Sequence, residues 1–413
     1  MLWYIIHIVD WLLWFTIAAS TMYIVFFAIV SLFKKRKDGS RSTLNNRFLI
    51  LYPAYHEDAV IINSVKKFLQ QNYDNSLYDV TVISDHMTDE TNAQLQELPI
   101  TLLTPSFEKS SKAKALQYAI RYLKEERNRK TYDYVIILDA DNVVKPDFLT
   151  QLNDICNQGD KAIQCHRCAK NNDNDVAVLD GVSEEINNTI FRKAHNIIGL
   201  SSALIGSGMC FDFDWFANNV NALSSAVEDR ELETLLAKQR IHVKYVEDIH
   251  VFDEKVSNAD NFQRQRLRWM TGQVQSLLLM TPYIPKAIVS GNINYIDKTI
   301  QQALIPRSIL IVLTALFCII STGLTLIVYH FSLFTSDDAG QFFTFHSSLF
   351  TIKWWGLFFI LCLSLFIAMP AHLRNGAIFG KLIELPRLVW RMLSNIFKIN
   401  HKSNDFIHTT HNK

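Results

Sequence analysis

Composition excludes two broad classes at once. In 413 residues, Lys+Arg 41 against Asp+Glu 40 leave a net charge of +1, so no bulk field recruits nucleic acid. Hydrophobic residues at 49% with only 20% charged are too many for a wholly soluble chain, and the excess lies at the two ends.

Trp11 to Phe33 is one apolar run with no charge after Asp10. At about 1.5 Å per residue it can cross a hydrocarbon core ~30 Å thick. Lys34-Lys35-Arg36-Lys37 follows, a block that belongs on the cytoplasmic side. A cleaved signal peptide would carry its charge before the apolar part and a small-residue cleavage site after it. Neither is found, so the run reads as an anchor. Ser308–His330 and Trp354–Ala371 are two further spans. Between them, Phe331–Ile352 has Asp337 and Asp338 but no Lys or Arg, whereas Arg374, Lys381, Arg387 and Arg391 follow the last span. This bias predicts a multi-pass protein of the cell (inner or plasma) membrane, with residues 34–307 and 372–413 cytoplasmic. The expected organisation is an anchor with its basic flank (1–40), a cytoplasmic domain (41–272), interfacial helices (273–307), two transmembrane helices (308–372) and a cytoplasmic tail (373–413).

From Arg47 onward, apolar strand patterns alternate with helical ones. Phe48–Tyr52, Val80–Ser84, Thr101–Leu103, Val135–Leu138 and Ala162–Cys165 read as strands, with helices near 58–71, 112–127 and 146–156. Such alternation predicts an α/β domain with a mostly parallel sheet and helices on both faces. Ligands bind such sheets in the crevice beyond the strands' carboxyl ends. There the sequence places Pro53 to Asp58, then Asp85, then Asp139-Ala140-Asp141. Two carboxylates one residue apart offer hard oxygen ligands suited to Mg²⁺ or Mn²⁺, which commonly completes its shell with a substrate's phosphates. Alone, the pair would equally be a solvated turn, and Asp58 and Asp89 would equally be helix caps.

Ser110-Ser111-Lys112-Ala113-Lys114 opens a helix, where lysines oppose the macrodipole unless an anion is bound there. Gly206-Ser207-Gly208-Met209 permits close backbone approach to a ligand. Glu228 and Asp229 begin another helix, as dipole compensation or as a source of a general base. Gln263 to Trp269 places three arginines on one helix, for lipid headgroups or for an anionic substrate. Cys165-His166-Arg167-Cys168 lacks the second pair that a zinc site would need, so it reads as structural filling. In residues 273–306, Ile296, Ile300, Ala303 and Leu304 share one helical face, opposite Asp297, Lys298, Gln301 and Gln302. A helix in the membrane interface and one packed on the domain fit that pattern equally. His408 to His411 in the tail lacks a third metal ligand and is expected to serve docking or the acceptor side at most.

In this order, Pro53–Asp58, Asp85, Lys112, Asp139/Asp141, Gly206–Met209, Glu228-Asp229 and Gln265-x-x-Arg268-Trp269 resemble the family 2 inverting glycosyltransferases. The final motif is similar to that of the membrane-bound branch that makes cellulose, chitin, hyaluronan and poly-N-acetylglucosamine. The resemblance implies a nucleotide-diphospho-sugar transferase (GT-A type) fold with uridine diphosphate in the crevice. It implies Asp85 on the uridine, Asp139 and Asp141 on the metal, and Lys112 near the phosphates, with Pro53 and Glu57 in the same donor motif. Gly206, Ser207 and Gly208 would shape the acceptor pocket. Arg268 would face the leaving diphosphate, Trp269 would stack on the acceptor sugar, and Gln265 of the same motif would contact substrate. Asp229 matches the base of the family's Glu-Asp pair, with Glu228 beside it.

The implied reaction is transfer of a hexose or N-acetylhexosamine from a UDP-sugar to the hydroxyl of a growing glycan, with inversion. Three spans are fewer than polymerising members usually have, and no gating-loop motif follows the domain. A membrane partner, a homo-oligomer or a lipid-linked acceptor is therefore implied. The alternatives are a single-sugar transferase acting on a polyprenyl-phosphate-linked acceptor and a nucleotide-sugar-binding membrane sensor. The intact acidic pairs disfavour the sensor, and spans 308–330 and 354–371, nearly free of ionisable groups, disfavour a transporter.

Overall fold

β1 (Phe48–Tyr55) is the strand around which one sheet is built. In chain order the others are β2 (Tyr78–Asp85), β3 (Thr101–Leu103), β4 (Tyr134–Ile137), β5 (Val143–Val144), β6 (Ala162–Ala169), β7 (Met209–Asp212) and β8 (Val243–Asp253). The computed structural model describes residues 2–34, 44–125, 131–225, 227–256, 259–332, 338–384 and 387. Lys35–Lys37 and the His408–His411 motif fall outside them.

The strands lie in the order β3-β2-β1-β4-β7-β6-β8-β5. β1 pairs in parallel with β2 and β4, β2 with β3, and β6 with β8. β7 runs antiparallel to β4 and β6, and β5 antiparallel to β8, so the sheet is mixed. β1 continues through Pro53, which the sequence reading placed in a turn. Leu51 accepts from the Leu138 N–H, and the β1–β4 pairing stops there. Pro53 has the same parity as Leu51, so its missing N–H faces the side where β1 no longer has a partner.

The helices, in chain order, are α1 (Leu2–Val30), α2 (Ile61–Phe68), α3 (Asp89–Gln96), α4 (Lys112–Glu125), α5 (Phe148–Cys156), α6 (Asp175–Asn187), α7 (Ala194–Ile197) and α8 (Phe213–Asn219). They continue with α9 (Glu228–Lys238), α10 (Ala259–Met280), α11 (Ile284–Val289), α12 (Ile293–Ala303), α13 (Arg307–Ser332), α14 (Asp338–Ala368) and α15 (Gly376–Lys381). Alternate β1 side chains enter two cores, as a strand's period of two requires. Phe48, Ile50 and Tyr52 pack with Ile61, Val65 and Phe68 of α2 and with Phe148 and Leu152 of α5. Leu49 and Leu51 pack with Leu116 and Ala119 of α4 and with Phe213 and Phe216 of α8. Both faces being covered explains why β1 and β4 read as continuous apolar runs.

Residues 34–303 form this α/β unit; residues 2–33 with 304–384 form a separate helical unit. Within the α/β unit, α12 turns its polar face inward. Asp297, Lys298 and Gln302 are buried, Lys298 pairing with Glu233 at 3.2 Å and Asp297 with His195 at 3.3 Å. Buried charges need such partners, which is why the polar stripe packs on the domain. Ile293, Ile300, Ile288 and Val289 are left exposed.

In the helical unit, His7–Val30, Arg307–His330 and Ser347–Ala368 are long and apolar enough to cross a membrane. The first and third differ from the sequence reading by including Asp10 and Lys353. Asp10 is buried, ion-paired with Lys353, and accepts from Trp354 Nε1 at 2.8 Å. The Lys353 ammonium also stands 4.0 Å from the Trp11 ring centroid. An ionisable residue is tolerated inside a span when it is paired in this way.

Candidate active site

Three strand ends and two helix starts meet above the sheet. β2 ends on Asp85, whose buried carboxylate lies 2.6 Å from His86 Nδ1. His86 and His56, each just past the end of its strand, hold left-handed backbone angles of 56° and 53°. Such angles are uncommon outside glycine and gather at functional sites. Asp58 ties the two loops together by accepting from the Thr88 N–H and hydroxyl, both at 2.8 Å, while Thr88 itself caps α3. Glu57 donates its backbone N–H to Met87 Sδ.

Asp139 and Asp141 occupy the turn after β4. Asp141 is buried; its two carboxylate oxygens accept from Asn142 Nδ2 at 3.0 Å and from the Glu254 N–H at 2.7 Å. Asp139 has a side chain 37% exposed and accepts from Lys112 Nζ at 2.5 Å. Its own N–H meets Asn142 Oδ1 and Ser207 Oγ, so Asn142 orients both aspartates. Sequence reading missed Asn142, because an Asn after an acidic turn looks like any loop residue. Neutral donors fix the Asp141 carboxylate and leave lone pairs over, whereas Asp139 shares one oxygen with the Lys112 ammonium and keeps an accessible face. That oxygen set fits a divalent ion.

Lys112 opens α4 amid anions of the protein itself. Besides Asp139, its ammonium donates to the Gly206 carbonyl at 2.6 Å and lies 3.4 Å from Glu228 Oε1. Burial alone would lower its pKa, but Asp139 and Glu228 overcome that and hold it above the ordinary lysine value. The clash with the helix dipole expected from sequence is thus relieved from within, by carboxylates from the β4 turn and α9. Gly206 makes the junction feasible: its φ is +80°, and a β-carbon there would stand 3.7 Å from Asp229 Oδ2 and 3.9 Å from Lys112 Nζ. Ser207 is buried and bonded to Asn142, holding the glycine loop to the β4 turn.

Glu228 and Asp229 start α9. Glu228 is buried, and its pKa is pushed up to about 7: burial dominates, Lys112 opposes and Asp229 adds repulsion. Asp229 is half-buried and accepts from the Arg230 N–H at 2.9 Å. Lys298 reaches Glu233 of the same helix, and Arg230 bonds Gln302, so α12 braces α9.

The arginine-rich segment lies in α10, and its arginines have divided roles. Arg266 pairs with buried Asp180 and stacks over the Trp269 ring at 4.2 Å. Burial would raise the Asp139 carboxyl, but Lys112 above all holds it below the usual aspartate value, with smaller pulls from Arg167 and Arg268. Gln265 presents a buried Oε1 with no hydrogen-bond partner. Arg167, which the sequence reading passed over, is buried between Glu184 at 2.9 Å and Asp253 at 3.5 Å, and its charge also acts on Asp139.

A family model described as Glycosyltransferase like family 2 matches residues 46–272, more than half of the chain. The chain belongs to glycosyltransferase family 2. As a member of that family it is an enzyme of the transferase class, and its mixed α/β sheet is of the GT-A type. It is similar to the mannosyltransferase PcManGT from Pyrobaculum calidifontis, solved with GDP-Man and Mn²⁺, with 15% identity and a TM-score of 0.50. That likeness covers 83% of this chain and 95% of the other, and it bears on fold. Glucosyl-3-phosphoglycerate synthase from Mycobacterium tuberculosis, solved with Mn²⁺, UDP and phosphoglyceric acid, matches at 13% identity and a TM-score of 0.38, covering 66% and 85%. TarS 1-349 from S. aureus, solved with UDP-GlcNAc, matches at 12% identity and a TM-score of 0.36, covering 51% and 59%. No curated protein sequence matches significantly.

Proposed function

We propose that this family 2 glycosyltransferase moves a hexose or N-acetylhexosamine from a UDP-sugar to the hydroxyl of a growing glycan at the cytoplasmic face of a cell membrane. The observation that supports it most is the convergence of Asp139, Glu228 and Lys112 on the Gly206 turn, with Asp229 beside it. Asp139 and Asp141 would hold Mg²⁺ or Mn²⁺, which when bound would neutralise charge on the leaving diphosphate.

The chain's own residues supply the rest. Asp85 accepts from the uridine at the end of β2, in the donor pocket that Pro53 and Glu57 border. Lys112 and Arg268 counter the diphosphate's charge, and Gln265 and Trp269 bound the acceptor side with Gly206, Ser207 and Gly208. Asp229 takes the acceptor hydroxyl's proton, a role worth about 10²–10⁴ in rate. Glu228 stays largely buried against Lys112 and positions its neighbour. One displacement without a covalent intermediate inverts the anomeric centre.

The Gln265-x-x-Arg268-Trp269 motif on α10 favours the polysaccharide-synthase branch. The exposed Ile288, Val289, Ile293 and Ile300 fit a surface lying against lipid. The three candidate spans favour a second reading, single-sugar transfer to a polyprenyl-phosphate-linked acceptor. Membranes containing the enzyme are incubated with a panel of radiolabelled UDP-sugars and the products sized. A long glycan supports the first reading, one sugar on an extractable lipid supports the second, and no transfer from any UDP-sugar overturns both.

A further inference from the structure

On the strand pair β6–β8, three metal-ligating side chains meet that no sequence spacing would join. His166, Cys168 and His250 place one ligand atom each within 4.8 Å of one another, the one such group of three among the described residues. His166 and Cys168 are two apart on β6 and so share a face. The β6–β8 register explains the third. Cys165 faces Val246 but His166 faces His250, so β8 bulges by Glu247, Asp248 and Ile249 and sets His250 directly across from His166. Bulges of this kind re-aim side chains. Cys165, three residues before Cys168, is buried on the opposite face beside Gly208 and takes no part.

Two further observations point to a ligand. His250 Nδ1 is shielded from solvent with no well-formed hydrogen bond, although the Asp248 backbone interacts with the same, partly buried ring. His166 Nε2 lies 3.0 Å from Glu185 Oε1 of α6, while its Nδ1 lies 2.5 Å from the Tyr245 hydroxyl. The Tyr245 hydroxyl holds Nδ1 as an outer oxygen holds a metal-bound histidine, which leaves Nε2, beside Glu185 and with Asn188 Nδ2 at 3.3 Å, as the nitrogen to ligate. Ligands at about 2.0–2.3 Å from a tetrahedral zinc stand roughly 3.3–3.8 Å from one another, so small side-chain rotations would close the group.

We propose that His166, Cys168 and His250 bind a structural zinc ion, with Glu185 moving in from beside His166 as fourth ligand, distinct from the metal proposed for Asp139 and Asp141. Imidazole, thiolate and carboxylate in a partly buried set suit Zn²⁺ rather than Mg²⁺ or Mn²⁺. Binding converts the Cys168 thiol to thiolate and releases its proton to solvent. The ion staples the β8 bulge to β6 and α6. In doing so it holds Arg167, which leaves β6 between two of the ligands and pairs with Glu184 and Asp253.

The full chain, purified in detergent with Mg²⁺ as the only added metal, is analysed for zinc by elemental mass spectrometry. One zinc per chain is expected, falling at least about tenfold in His250→Ala and remaining in Asp141→Asn. Because His250→Ala can unfold, the second arm replaces zinc with Co²⁺ in the wild type and in Cys168→Ser. The wild type should acquire a thiolate-to-cobalt charge-transfer band, and Cys168→Ser should lose it while keeping a helical circular dichroism spectrum. A folded wild type that holds no zinc and gives no Cys168-dependent band with Co²⁺ overturns the proposal.

Discussion

Lys112 and Glu228 meet at 3.4 Å although they open two different helices, α4 and α9. Each alone would be a costly buried charge. Their meeting place is the Gly206 turn, so the pair joins the turn after β4 to the helix that starts with the acidic pair.

Glu228 should make stability depend on pH. Its pKa in the fold is about 7, above the ordinary value of 4.5, so the native state binds the extra proton. The stabilisation is fully present below about pH 4.5 and is lost as pH rises through 7. Glu228→Gln, which mimics the protonated form, should therefore melt higher than wild type at pH 8, with an unfolding free energy larger by on the order of 1–3 kcal/mol. The gap should close towards pH 5. Melting both proteins in detergent across that range checks it; a gap that widens on acidification contradicts the assignment.

Asp229 and Glu228 are adjacent, yet successive helical residues point about 100° apart. Asp229→Asn is expected to lower kcat by at least ~10²-fold with UDP affinity retained, since a base acts in the transition state. Glu228→Gln should be milder. Turnover and UDP binding measured for both decide it: a dead Glu228→Gln beside a near-normal Asp229→Asn would reverse the roles.

Metal removal is expected to abolish transfer. EDTA should stop the reaction, and added Mn²⁺ or Mg²⁺ should restore it. Asp141→Asn should lose activity while still folding, because an amide oxygen can still accept from the Glu254 N–H that Asp141 now engages. Full transfer in EDTA would take the ion out of the mechanism.

Gly272 in α10 tests how α9 is held. A β-carbon there would stand 2.5 Å from Val227 Cγ1, in the residue just before Glu228. Gly272→Ala should cost about 1–3 kcal/mol of stability by overpacking, and it should reduce kcat by displacing the acidic pair. Adding Val227→Ala should recover much of both losses, a coupling that a double-mutant cycle reads. Additive effects would mean that the two residues act separately.

Local pattern alone determined the strands and helices around the donor crevice. Continuous apolar runs announced β1 and β4, and the turn after β4 placed two aspartates where such sheets bind ligands. The three helices long and apolar enough to cross a membrane were legible as well, since hydrophobic length is a one-dimensional quantity. β7 and β8 were not, because their antiparallel and bulged pairings depend on partners far along the chain. Pro53 belongs to a strand only because β4 stops pairing beside it. The sequence placed Lys112 at a helix start but could not name its anions, which come from residues 27 and more than a hundred positions away. Likewise α12 displayed two faces, and only packing chose the polar one for burial, because Glu233 and His195 were there to receive Lys298 and Asp297. His250 is the extreme case: its proximity to Cys168 arises from a bulge in β8, and nothing in a linear spacing encodes that. Charge and burial are local in space, not in sequence, so the roles of these residues were decided by the tertiary fold.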